Sequence, residues 1–63
     1  MPKREVTRND VGYGWTSSSG VYRVYVLHDG RKLETILNAS CLSADETRNA
    51  IDLLIDTLVR ELN

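Results

Sequence analysis

Sixty-three residues make one small domain, and a chain this short buries only about 60% of the surface its unfolded form exposes. One cysteine excludes an intrachain disulfide, and one His with one Cys cannot supply a structural zinc site from a single chain. A net charge of −1 does not announce a nucleic-acid partner, and no apolar run approaches the length of a membrane span.

From the N-terminus, residues 1–10 are mostly polar and follow neither structural period, so they read as a flexible arm ahead of a single domain over 11–63. No apolar h-region follows Met1-Pro2-Lys3-Arg4-Glu5, so a secretory leader is not expected and a cytoplasmic protein is. Asn38-Ala39-Ser40 matches a glycosylation sequon, a chance match under that expectation.

Val11 to Thr16 reads as a short strand with Tyr13 and Trp15 on one face. Its two glycines point to a bulge or a sheet edge. Gly12-x-Gly14 lacks a third glycine and a following helix, so it is no phosphate loop. Ser17 to Gly20 is a turn of small polar residues.

Val21 to His28 and Arg31 to Ala39 are two β-rich runs separated by Asp29-Gly30, the pattern of a two-residue type I′ hairpin. That turn pairs Val26 with Leu33, Val24 with Thr35 and Tyr22 with Leu37 on one apolar face, placed here beneath a helix. The opposite face carries Val21, Arg23, Tyr25, Leu27, Lys32, Glu34 and Ile36. Water alone would favour polar residues there; aliphatic, aromatic and cationic groups together mark a recognition surface.

Ser43-Ala44-Asp45-Glu46 is a capping box opening a helix that runs to Leu62 without Gly or Pro. Ala44, Thr47, Ala50, Ile51, Leu54, Ile55, Leu58, Val59 and Leu62 occupy roughly half of its circumference. A sheet of about two and a half strands cannot easily cover both flanks, so Leu54, Ile55, Leu58 and Val59 are expected near a homodimer axis. Arg48 and Arg60 bracket Asp52 and Asp56 at i, i+4 spacing, which predicts ion pairing along the helix. The expected fold is α+β: a three-stranded antiparallel β-meander with a central Asp-Gly hairpin, packed against one long C-terminal amphipathic helix.

Catalytic groups do not assemble. His28 reads as an exposed turn residue with no partner motif, Ser17 to Ser19 are turn residues, and Cys41 before the helix cap reads as a small buried hydrophobe. The nearby helix N-terminus and Arg48 would favour its thiolate if it were reactive. No enzyme and no cofactor are expected. The chain reads as a homodimer that binds another protein, a regulator or inhibitor of the short, motif-free kind frequent among phage and mobile-element accessory proteins.

The order of three antiparallel strands then a helix resembles the N-terminal arm-site DNA-binding domains of tyrosine-family integrases. That resemblance implies major-groove contacts from Arg23, Tyr25 and Lys32, with Lys3, Arg4 and Arg8 as a phosphate-contacting arm. Residues through Glu34 carry +2 and the remainder −3, and Glu34 lies on the proposed face. Affinity for DNA rests largely on neutralised phosphates, so a protein partner is the first expectation and DNA the alternative.

Overall fold

A computed structural model describes residues 4–63. Three antiparallel strands, β1 (Gly12–Ser18), β2 (Val21–His28) and β3 (Arg31–Asn38), lie side by side in chain order. The helix α1 (Ala44–Glu61) crosses one face of the sheet, giving the expected α+β architecture.

The β2–β3 register follows from its turn. Asp29 and Gly30 both take positive φ, 50° and 77°, and His28 pairs with Arg31 directly behind them. Val24 and Val26 are fully buried, with Tyr22, Leu33 and Leu37 packed around them beneath the helix. The β1–β2 connection has the same form, which the serine-rich stretch concealed. Ser19 and Gly20 carry φ of 51° and 79°, so the loop is two residues long and Ser17 and Ser18 belong to the strand. β1 is an edge strand in unbroken register, and its glycines make no bulge. Gly14 instead makes room on the outer face, where a Cβ would stand 2.7 Å from the Tyr25 hydroxyl oxygen.

Ser43 caps the helix as its sequence demands. Its hydroxyl accepts from the Glu46 N–H at 3.1 Å, and the Glu46 carboxylate accepts from the Ser43 N–H at 2.9 Å. Those bonds favour the ionised form and hold Glu46 below the usual carboxylate range. Ile51, Ile55, Leu58 and Val59 complete the core with Val24 and Val26.

Two expectations bear on what surrounds the helix. The first is the arm, whose residues 1–3 lie outside the described residues. Residues 4–10 run back along α1: the Asn63 side-chain amide accepts from the Val6 N–H at 2.7 Å and donates to the Val6 carbonyl at 3.0 Å. Arg8 donates to Asp52 at 2.6 Å and lies within 3.5 Å of Asp56, so these acids pair with the arm. Among the described residues, Arg48 and Arg60 make no ion pair with them. The Asp52 bond raises the Arg8 pKa above its ordinary value, against a smaller opposing effect of burial. A single 3-10 turn, Arg8–Asp10, redirects the chain into β1, closed by the Thr7 N–H and hydroxyl donating to Asp10.

The second concerns the residues expected near a dimer axis. Ile55, Leu58 and Val59 are buried inside the single chain, and Leu54 is half-buried beside them. The docked arm explains the width of the apolar arc. Val6 and Thr7 line the same flank as Val59, while Leu54 and Leu58 lie toward β3. The helix lies between sheet and arm, with Ile51, Ile55, Leu58 and Val59 buried and Ala50, Leu54 and Leu62 partly so.

Candidate functional site

With the helix on one face, the opposite face of the sheet lies open. Strand alternation and the β2–β3 register bring Val21, Arg23, Tyr25 and Leu27 beside Lys32, Glu34 and Ile36 on it. The grouping read from the hairpin is therefore reproduced. Ile36 is 56% exposed, Leu27 46% and Val21 38%, so three aliphatics stand in solvent on one surface.

Its charged residues interact with one another. Arg23 reaches Glu34 at 3.7 Å and Lys32 reaches it at 3.9 Å, while the Lys32 ammonium sits 5.3 Å from the centre of the Tyr25 ring. Tyr25 lies half-buried across Gly14, which gives the face a flat aromatic centre. Exposed ion pairs at these distances contribute little to stability. They leave a nearly charge-balanced patch, two cations to one carboxylate, that shares its face with a tyrosine and exposed aliphatics.

The arrangement removes much of the cationic surface that the DNA alternative needs. Arg4 pairs with Asp10 at 3.0 Å, Arg8 with Asp52 and Asp56, and Arg23 and Lys32 with Glu34. Lys3 lies outside the described residues.

A second feature was missed in the sequence. Tyr13 and Trp15 share the helix-facing side of the sheet with Val26 and Val24, yet the helix does not cover them; they are 47% and 49% exposed. They border a groove of about 800 Å³ between β1 and the first half of α1, lined also by Tyr22, Leu42, Ile51 and Arg48. Arg8 closes one end, its guanidinium 4.9 Å from the Tyr13 ring centre. The signal was present in the shared face of Tyr13 and Trp15. Which strands the helix covers was not.

The remaining singled-out residues stay apart. His28 is half-buried at the end of β2 and not exposed as expected, whereas Cys41, expected to be buried, is exposed in the connection before the helix. Among the described residues no group of three potential metal ligands converges, and no helix is long and apolar enough to cross a membrane.

No family model, curated protein or solved structure matches this chain. The resemblance to integrase arm-site domains accordingly rests on element order alone.

Proposed function

We propose that this chain is a non-enzymatic regulator or inhibitor that binds another protein through the open face of its sheet. The observation that carries the reading is that three exposed aliphatics, Val21, Leu27 and Ile36, share one face of the β2–β3 hairpin with Tyr25. Apolar groups framed by a few charges are what a protein partner can desolvate, and Tyr and Arg are frequent anchors in such contacts. The charges are close to balanced, which suits a neutral or mixed protein surface better than a phosphate backbone.

The test compares proteins retained from nuclease-treated lysate by the wild-type chain and by a Leu27→Asp, Ile36→Asp variant. Both positions are solvent-facing, so the variant keeps its fold, verified by circular dichroism. A stoichiometric protein held by wild type and lost from the variant supports the reading. Equal retention by both removes it, and material that disappears on nuclease treatment favours the DNA alternative.

A further inference from the structure

The two edges of the sheet are built differently. β3 carries Arg31, Lys32 and Glu34 in its first half, and charged side chains are a usual means of discouraging a further strand. β1, the other edge, is Gly-Tyr-Gly-Trp-Thr-Ser-Ser, seven residues without a charge or a proline. Among the described residues nothing pairs with its outer side.

Its hydrogen-bonding groups follow from the turn. Ser18 and Val21 close a two-residue loop as a hydrogen-bonded pair, so Thr16, Gly14 and Gly12 also direct their N–H and C=O groups toward β2. Alternation then turns those of Ser17, Trp15 and Tyr13 outward. The outward set belongs to the residues whose side chains lie on the helix side, including both half-exposed aromatics.

We infer that β1 pairs with β1 of a second copy, antiparallel about a two-fold axis at Trp15, joining two sheets into one of six strands. In that register Trp15 faces its own copy and Tyr13 faces the partner's Ser17, so every outward backbone group of the three residues finds a complement. An uncharged strand meets itself without repulsion, and the aromatics form a cross-strand cluster on the helix side, beside the groove. A second copy is favoured over an unrelated peptide because this self-complementarity needs no other sequence. At about 200 Å² per aromatic side chain, the exposed halves of the two rings give about 200 Å² per copy. That is a quarter of the ~800 Å² per partner in a standard interface, so the dimer is a weak one. The inference uses a different surface from the proposed protein-binding face and stands or falls apart from it.

Sedimentation of the full chain from about 1 µM to 1 mM tests it, with the emission of Trp15, the single tryptophan, as a second signal. Wild type is expected to pass from monomer to dimer with a blue shift of that emission. Trp15→Lys and Trp15→Glu each place like charges opposite one another, raising the dimer Kd about tenfold or more, while an equimolar mixture restores a dimer. Ser17→Pro removes an outward N–H without touching the β2 ladder, and also weakens self-association, should the Trp15 variants misfold. Ile36→Lys, on the other face, leaves the dimer intact. A wild type that stays monomeric at 1 mM overturns the inference, even if it binds an extended peptide. So does an unchanged dimer in Trp15→Lys and Ser17→Pro, or a mixture that fails to associate.

Discussion

Ile55→Ala separates a helix built into a monomer core from a helix reserved for a partner. Ile55 is fully buried and packs within the cluster of Val24, Val26, Ile51, Leu58 and Val59. Truncation removes three carbons, about 2.4 kcal/mol at roughly 0.8 kcal/mol for each, and incomplete collapse of the cavity brings the cost to about 3 kcal/mol within a usual range of 2–5. A domain of this length has a total stability of only about 3–9 kcal/mol. The loss is therefore a third of it or more. Urea denaturation followed by helix circular dichroism reads the effect. With a slope of about 1 kcal/mol per M, the midpoint should fall by about 3 M, or the variant should be unfolded at the outset. Leu53→Ala is the control: Leu53 is 66% exposed, and its loss should stay within about 0.5 kcal/mol. A cost below about 1 kcal/mol at Ile55, or destabilisation that vanishes on dilution below the dimer Kd, would refute its place in the monomer core.

Other outcomes follow from local geometry. Ser43→Ala should cost about 1 kcal/mol by removing the oxygen that caps the Glu46 N–H, read by thermal unfolding. Ser19 holds a left-handed φ of 51° without being glycine; Ser19→Asn, better suited to that region, should raise stability by up to about 1 kcal/mol in the same assay. Asp10 and Glu46 are lowered by hydrogen bonds to their ionised forms, the largest to the backbone N–H of Thr7 and Ser43. Their stabilisation is complete above the ordinary carboxylate pKa of about 4 and is lost as pH falls through their lowered folded values. The melting temperature should therefore hold from pH 8 to 5 and drop in stronger acid, less steeply in Glu46→Gln. Arg8→Ala should detach the arm from Asp52 and Asp56, seen as faster amide exchange at Val6 and Val59.

Local chemistry made much of this fold readable. Asp29-Gly30 is a turn with one dominant geometry, and because strand side chains alternate, that geometry decided every pair between β2 and β3. The helix start was equally legible, since Ser43 and Glu46 satisfy each other within three residues. Legibility failed where the deciding partner is distant. The bond from Arg8 to Asp52 spans 44 residues and that from Asn63 to Val6 spans 57, so neither follows from a local pattern. Without the docked arm, the flank around Val59 had no cover, and a second helix was the reasonable substitute. The Ser19-Gly20 loop was hidden because serine rarely takes a left-handed φ, and four small residues offered no unique pair. The open face was grouped correctly from register alone; the groove beside Trp15 was not, because helix placement across a sheet is a tertiary choice.

The central claim, that the open sheet face receives another protein, is tested most directly by a photo-crosslinking amino acid at position 36. The comparison is the same probe at position 53, which is also exposed but lies on the helix. Irradiated in the cells that make the protein, position 36 should yield one dominant covalent adduct with a different protein, and position 53 should yield none of it. Adducts from position 53 alone, or adducts from position 36 only to nucleic acid, would contradict the account.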